Sequence, residues 1–309
     1  MIDFRYHLVS IIAVLLALAT GLLLGSTTLQ GSAFGALDHS SAAASRQAQQ
    51  LREQATTLQG QLARGQAFDA AVLPTALAGR LAGQSVVVVS APGADSSIRN
   101  ALTRALLAAG ATVSADVRML PAYLDPAQDP LLADLAARLA GRTLLAAGTG
   151  ADQAAQVLAG VLVTRPSIAG PSAGSVATVL NAFSDAGMLS MVGSNPRPGT
   201  MAIVLAAAKP TADPTTSASA NAALLALAAE LQTHGLGTIV AGPEAAANAP
   251  GTVAAARGDA TLSHTVSTVD TVESPEGQIA AVLALVAEMG GHSGSYGPAG
   301  SAPLPGFAR

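Results

Sequence analysis

The chain has 309 residues, of which half are apolar, 11% are charged and 3% are aromatic, and its formal net charge is −4. This length can hold a membrane anchor and one large domain, or two small ones. The acidic balance argues against a nucleic-acid partner, since no basic patch could neutralise several phosphates, and the absence of cysteine excludes disulfides, thiolate nucleophiles and zinc–thiolate sites.

The first predicted element is an uncharged apolar segment over residues 8–29. As a helix, the stretch from Leu8 to Gly25 would rise about 27 Å, close to the roughly 30 Å hydrocarbon core of a bilayer. So long a run without charge disfavours a buried core helix. A cleaved signal peptide is the serious alternative, because Ala33-Phe34-Gly35 offers small residues at the spacing that signal peptidase needs. The acidic residue Asp3 and the length of the run favour an uncleaved signal-anchor, so residues 1–29 are predicted to anchor the chain.

The flanking charges predict the orientation of this anchor. Arg5 is the basic residue on its N-terminal side, whereas the other side has no lysine or arginine before Arg46. This asymmetry favours a cytoplasmic N-terminus, with residues 30–309 exported. The sequence therefore predicts a single-pass protein of the cell membrane or envelope.

Residues 30–79 are predicted to form a neck and a helical stalk. Residues 30–37 are expected to be a short flexible neck. Within 38–66, apolar residues alternate at spacings of four and three, namely Ala44, Ala48, Leu51, Ala55, Leu58 and Leu62. This heptad pattern allows two interpretations. It could be a lone amphipathic helix lying against the following domain, or a weak coiled coil that makes a homo-oligomer through residues 38–66.

Residues 80–292 are predicted to fold as one α/β domain. Strands are predicted within 85–95, 111–119, 143–148, 188–193, 200–208, 237–242 and 265–270, and helices over 95–109, 151–162, 218–235 and 275–289. Strands that are apolar on both faces and alternate with helices are typical of a doubly wound, mostly parallel sheet covered on both sides. Residues 209–219 are expected to be an exposed loop, and 293–309 a disordered tail.

No motif predicts catalysis or a bound cofactor. In the turn Gly148–Gln153 the first two glycines match a dinucleotide fingerprint, but Gln153 stands where the third should be, and a helix cap explains the turn without a ligand. Neither a G-x-S-x-G elbow nor an H-E-x-x-H motif is present. The acidic residues Asp259, Asp270, Glu273 and Glu276 are expected to form a solvated rim rather than a carboxylate dyad. We therefore predict a protein that is not an enzyme.

Two pairs of side chains could offer soft ligands to copper. Met188 and Met191 lie three residues apart, and Met289 is close to His292 in sequence. Thioether and imidazole groups suit copper, although methionine more often fills gaps in a hydrophobic core. The other histidines, His7, His39, His234 and His264, lie far from one another in sequence and predict no ligand set.

Three segments carry a resemblance to a known family. They are FRYHLVSIIAVLLALATGLLLGS (4–26), VVVVSAPGAD (86–95) and VSTVDTVESPEGQIAAVLALVAEMGGHSGSYG (266–297), and they resemble the actinobacterial copper transport outer-membrane protein family, MctB. The resemblance covers nearly the whole chain. It implies copper efflux or copper resistance, a pore-forming role, oligomerisation and a place in the mycolate outer membrane, with copper as the transported ion.

The residues themselves exclude a single-chain porin. An outer-membrane barrel needs at least eight strands of alternating polarity and girdles of aromatic residues, whereas this chain has five Phe, three Tyr and continuously apolar strands. Three hypotheses follow: a membrane-anchored copper-export component, a non-catalytic structural or interaction protein of the envelope that assembles through its coiled coil, and an exported ligand-binding domain that uses the Gly148–Gln153 turn.

Overall fold

A computed structural model describes residues 4–303 apart from 142, 168–169, 194 and 209–213, and it describes only the backbone of residues 4–5, 26–44 and 214. Predictions that concern Asp3, residues 209–213 of the expected loop 209–219 and residues 304–309 lie outside the described residues, as does the side chain of His39. The expected loop is wrong for residues 214–219, which are helical and begin the helix Pro214–His234. The chain divides into two compact units, residues 1–65 and residues 66–309.

Helix α1 (Phe4–Leu77) begins in the first unit and ends in the second. The backbone is helical through residues 30–37, where the sequence predicts a flexible neck. Proline is what most strongly interrupts the hydrogen bonds of a helix interior, and Pro74 is the first proline of the chain. The helix ends three residues after Pro74. The prediction of a flexible neck is therefore wrong for the backbone, because no residue before Pro74 lacks the backbone N–H that a helix needs.

The second unit is built on a seven-stranded sheet of order β3-β2-β1-β4-β5-β6-β7. Its strands are β1 (Ser85–Ser90), β2 (Thr112–Met119), β3 (Leu189–Val192), β4 (Met201–Leu205), β5 (Gly237–Ala241), β6 (Ser267–Val269) and β7 (Ser295–Tyr296). Neighbouring strands are parallel except for the edge strand β3, which runs antiparallel to β2. The prediction of a doubly wound, mostly parallel α/β fold is confirmed, and the sheet is not closed into a barrel.

Helices cover both faces of this sheet. They are α2 (Ser96–Ala108), α3 (Pro121–Leu124), α4 (Asp129–Leu139), α5 (Gly150–Leu162), α6 (Ala173–Asp185), α7 (Pro214–His234), α8 (Thr252–Gly258) and α9 (Pro275–Met289), with short 3-10 turns at Pro126–Gln128, Glu244–Ala247 and Leu262–His264. Val87 and Val89 point to the face that packs against α4 to α8. Val86 and Val88 point to the face covered by α2, α9 and the last turns of α1. This two-sided burial explains why the strands are continuously apolar.

The segment 143–148 forms no strand, so that prediction is wrong. The described part of the segment is irregular, and Leu144 is 96% exposed. The edge of the sheet next to β2 is taken by β3 instead, with Leu189 paired to Met119. An apolar run of this length indicates only that a strand would tolerate burial, whereas the pairing partner is decided by the tertiary fold. The helix predicted to follow the segment is present as α5.

The disordered tail predicted over 293–309 also needs correction. Ser295 and Tyr296 form strand β7, which pairs with β6, and Tyr296 is buried. The guanidinium of Arg257 donates to the backbone oxygen of Tyr296 at 3.0 Å and so fastens this strand from α8. A Gly- and Ser-rich segment that cannot fold alone is here ordered by a neighbouring strand and a partly buried arginine.

Candidate functional site

One helical segment in the described part of the chain is long and apolar enough to cross a membrane. It covers Tyr6–Gly25, has a mean hydropathy of 2.6, and is not buried within the structure. The hydroxyl of Thr20 donates to the backbone oxygens of Leu16 at 2.6 Å and Ala17 at 3.1 Å. This polar group is therefore satisfied inside its own helix, as a lipid environment demands. This segment lies within the predicted anchor, residues 1–29.

The heptad leucines of the predicted stalk form an exposed apolar face on α1. Leu51, Leu58 and Leu62 are 58%, 63% and 60% exposed. Large apolar side chains aligned in this way are typical of a surface that meets another chain. We define Leu51, Leu58 and Leu62 as the leucine seam.

The predicted copper ligands are found in two separate places. Met188 is buried in the hydrophobic core beneath α4 to α8, and Met191 packs against that core from the edge strand β3. Met289 and His292 are exposed at the end of α9, which covers the opposite face of the sheet. Among the described residues, no group of three or more His, Cys, Asp or Glu side chains could hold a metal ion. The assignment of these four residues to copper stays a prediction.

The Gly148–Gln153 turn is a helix cap. Thr149 accepts the N–H of Asp152 at 3.2 Å, and the carboxylate of Asp152 accepts the N–H of Thr149 at 2.8 Å. Asp129 also accepts the N–H of Ala151, at 3.1 Å. Two carboxylates thus occupy the positive end of α5, where a phosphate would have to bind. The turn does not offer a nucleotide site, because an incoming anion would meet negative charges already in place.

A close backbone contact explains why glycine occupies position 150. A Cβ atom at this position would lie 1.9 Å from the backbone oxygen of Asp129. We expect Gly150→Ala to lower the free energy of unfolding by about 1–3 kcal/mol, the range found for overpacked sites. In the same helix, Gly160→Ala meets no atom within 4 Å and is the matched control. It should stabilise the helix by about 0.5–1 kcal/mol. Chemical denaturation of both variants measures this, and equal effects of the two substitutions would contradict the account.

A cavity of about 530 Å³ lies at the carboxyl edge of the sheet. It is bounded by Ala91 and Pro92 after β1, Ala207 after β4 and Leu224 on α7. The chain runs from β1 outward to β2 and from β4 outward to β5, so this is the switch point at which doubly wound sheets bind ligands. We call it the switch-point crevice.

The lining of the switch-point crevice limits what it can bind. Asn221 donates to the backbone oxygen of Pro250 at 2.8 Å and accepts from the Thr252 hydroxyl at 2.8 Å. No lysine, arginine or histidine stands among the described residues that line it, whereas the carboxylate of Asp125 does. The crevice therefore suits an uncharged, largely apolar molecule and disfavours a nucleotide or other anion.

The predicted acidic rim is only partly a rim. Glu273 and Glu276 are exposed, as expected for solvated carboxylates. Asp270 is instead fully buried and forms an ion pair with Arg257, with 2.9 Å between Oδ2 and Nη1. The other two guanidinium nitrogens of Arg257, Nε and Nη2, donate to the hydroxyl of Thr268 at 2.9 Å and to the backbone oxygen of Tyr296 at 3.0 Å. These four residues connect α8, β6 and β7.

Sequence reasoning missed Arg257, although its partners lie in the segment 266–297 that resembles a known family. The backbone of that segment is also tightly constrained. Thr271 has a positive φ of 66°, and a Cβ atom on Gly277 would lie 1.9 Å from the backbone oxygen of Thr271. The pattern VDTV…SYG therefore contributes to local architecture here, because its residues hold the last two strands together.

Sequence reasoning also missed Glu288, a buried carboxyl near the end of α9. It accepts the N–H and the hydroxyl of Ser267 at 2.7 and 2.6 Å, and the side-chain amide of Gln232 at 2.9 Å. Burial raises the pKa of Glu288, and the hydrogen bonds from Ser267 and Gln232 oppose that rise. Burial, followed by the charge of Glu288, raises the pKa of Tyr296 as well.

The raised pKa of Glu288 predicts a pH dependence of stability. The folded state holds this proton more tightly than the unfolded state, in which the pKa of the carboxyl has its ordinary value. Glu288 therefore contributes stability at a pH below that ordinary value, and the contribution is lost as the pH rises through the folded pKa. We expect Glu288→Gln to be less sensitive to this rise, so that its stability relative to the wild type increases with pH. Urea denaturation across the acidic and neutral range tests this, and a difference that stays constant with pH would contradict it.

Known proteins similar to this chain are copper transporters. The chain matches the family described as copper transport outer membrane protein, MctB, over residues 1–305. It is 29% identical to the copper transporter MctB of Mycobacterium tuberculosis over 310 residues, which cover 96% of each chain. It is 30% identical to the copper transporter MctB of Mycobacterium leprae over 310 residues, again 96% of each chain.

Proposed function

Since the chain belongs to the family of copper transport outer membrane proteins, MctB, we propose that it is a membrane-anchored envelope protein that contributes to copper efflux and copper resistance. The observation that carries this proposal is the family match, which extends over residues 1–305. The exposed apolar segment Tyr6–Gly25 supports the membrane anchor. Copper is the transported ion in this proposal, and the protein performs no catalytic step and needs no cofactor.

The number of candidate membrane spans and the open sheet favour an assembly of several copies. The described residues contain one segment that could span a membrane, and the sheet is open. A single helix encloses no channel, so we propose that any conducting path forms between the anchor helices of several copies. The cytoplasmic N-terminus follows from Arg5. We propose an outer-membrane location because the family is described as one of outer membrane proteins.

A copper-accumulation experiment tests this function. The gene is deleted and then restored, and intracellular copper is measured by mass spectrometry during growth with added copper. The proposal expects more copper in the deleted strain, lower tolerance, and recovery of both on restoration. Copper content and tolerance that do not change on deletion would rule out a role in efflux.

The leucine seam makes a second, separable prediction. Coiled coils are held together by apolar residues at alternating spacings of three and four. The triple substitution of Leu51, Leu58 and Leu62 by Asp should convert oligomers to monomers, because it places like charges opposite one another along the interface. Light scattering of the full chain in detergent measures this. The matched control places the same three charges off the seam by replacing Gln49, Thr56 and Ala63 with Asp. A wild-type monomer, or equal disruption by both triplets, would contradict the coiled coil.

Two alternatives remain separable from copper efflux. A non-catalytic structural or interaction protein of the envelope would form oligomers through the leucine seam but leave cellular copper unchanged on deletion. An exported ligand-binding domain is supported by the switch-point crevice, which could hold an uncharged small molecule. A thermal-shift screen with neutral compounds would then raise the melting temperature.

A further inference from the structure

A second cavity of about 530 Å³ lies at the amino-terminal edge of the sheet, opposite the switch-point crevice. Its walls come from the C-terminal ends of α7 and α9 and from the segment around the 3-10 turn Leu262–His264. Glu288 and Gln232 stand at one side, and Arg165 also lines it. The lining also offers polar side chains, namely Thr233, Thr261, His264, Thr265 and Ser293. The cavity can therefore take a charged or hydrogen-bonding ligand.

The acidic side of this cavity has unused acceptors. Glu288 is 4% exposed and receives three hydrogen bonds, two at Oε1 from Ser267 and one at Oε2 from Gln232. An ionised carboxylate offers about four lone-pair sites, so Oε2 retains one. The Oε1 atom of Gln232 is buried and has no hydrogen-bond partner among the described residues. A buried acceptor without a partner is unfavourable unless a donor arrives.

The basic side has unused donors. The Nε–H of Arg165 donates to the backbone oxygen of Gly235 at 3.1 Å, which fixes the guanidinium at the wall of the cavity. The Nε–H bond is the hydrogen bond that the side chain of Arg165 makes among the described residues, so neither Nη group has a partner there, and the side chain is exposed. A guanidinium held in this way can bind a carboxylate through two parallel hydrogen bonds.

We propose that this cavity binds a small zwitterion, with an ammonium group at Glu288 and Gln232 and a carboxylate at Arg165. An ammonium has three donors and no acceptor, which matches the free lone pairs of Glu288 Oε2 and Gln232 Oε1. A ligand with one charge would leave either the acceptors or the guanidinium without its partner. This binding is independent of copper transport, since no residue of the anchor or of the leucine seam takes part.

Probes of graded length test the proposal on the full chain in detergent. Glycine, β-alanine, 4-aminobutyrate and 6-aminohexanoate are each titrated by ligand-observed NMR, with butylamine and butyrate as probes that carry one charge. At least one amino acid should bind. The affinity of each single-charge probe should be at least about tenfold lower, because each lacks one of the two charged groups that pair with the cavity. Each amino acid is tested up to about 10 mM, a concentration above the dissociation constant of a weak, millimolar complex. If none of the four binds at that concentration, the proposal is overturned.

Two substitutions connect the binding to the named residues. Arg165→Gln should lower the affinity for the best-binding probe about tenfold. It should not change the melting temperature, because the side chain of Arg165 is exposed. Glu288→Gln removes the negative charge with little change of shape and should also lower the affinity for that probe. Arg138→Gln is the matched control, since this arginine is paired with Asp134 on the surface of α4. Unchanged affinity in a folded Arg165→Gln variant would contradict the assignment.

Discussion

Replacing Arg257 with alanine should lower the free energy of unfolding by about 3–5 kcal/mol, the cost of removing one partner from a buried ion pair. The side chain of Asp270 is 0% exposed and pairs with Arg257 at 2.9 Å. Without the guanidinium, that carboxylate would remain buried and lose its counter-charge. The hydroxyl of Thr268 and the backbone oxygen of Tyr296 would also lose a donor. Urea denaturation of the full chain, followed by circular dichroism, measures the loss.

The surface pair Arg138–Asp134 provides the control for this prediction. Its side chains are 74% and 52% exposed, and exposed pairs contribute about 0.2–1 kcal/mol. Arg138→Ala should therefore cost much less than Arg257→Ala. Protection of strand β7 from hydrogen exchange should also fall in the Arg257 variant, because Tyr296 is fastened by that side chain. Similar losses of stability in both variants would mean that Arg257 does not hold the C-terminal strands.

Two arginines in the middle of the apolar helix should prevent its insertion into a membrane. Leu15 and Leu16 lie at the centre of Tyr6–Gly25, where both side chains are exposed. A charged residue at the centre of a span costs about 2.5–3.5 kcal/mol on insertion scales, so the double substitution to Arg should cost about 5–7 kcal/mol. We expect the variant to leave the membrane fraction after extraction with alkaline carbonate.

The same positions supply the control for the anchor. Replacement of Leu15 and Leu16 by Ile keeps the span apolar, and this variant should sediment with the membrane as the wild type does. A double-arginine variant that remains fully embedded would show that the segment is not what holds the chain to the membrane. Copper tolerance of cells carrying the two variants then reports whether anchoring is needed for the proposed function.

Local patterns in the sequence predicted the fold class well. Runs such as Val86–Val89 are buried on both sides because helices cover both faces of the sheet. An unbroken apolar run predicts this two-sided burial directly. The same signal failed at 143–148, since an apolar run indicates tolerance of burial but not a pairing partner. It also failed to predict β7, whose two residues gain their order from β6 and from Arg257.

The candidate sites were harder to predict because they depend on contacts between distant residues. Arg257 and Asp270 are separated by the 3-10 turn Leu262–His264 and by the whole of strand β6. Gln232 and Glu288 lie on different helices. The Gly148–Gln153 turn was the reverse case. Its glycines resemble a ligand-binding fingerprint, whereas Asp129 and Asp152 occupy the helix end from which a phosphate would be bound.

Membrane fractionation combined with N-terminal sequencing of the mature protein tests the central claim most directly. That claim is that an uncleaved apolar helix holds the exported α/β domain to a membrane. We predict a chain that stays in the carbonate-washed membrane and whose N-terminal sequence still includes the segment Tyr6–Gly25. A soluble polypeptide whose sequence begins after Ala33-Phe34-Gly35 would contradict it, because the segment would then be a signal peptide removed during export.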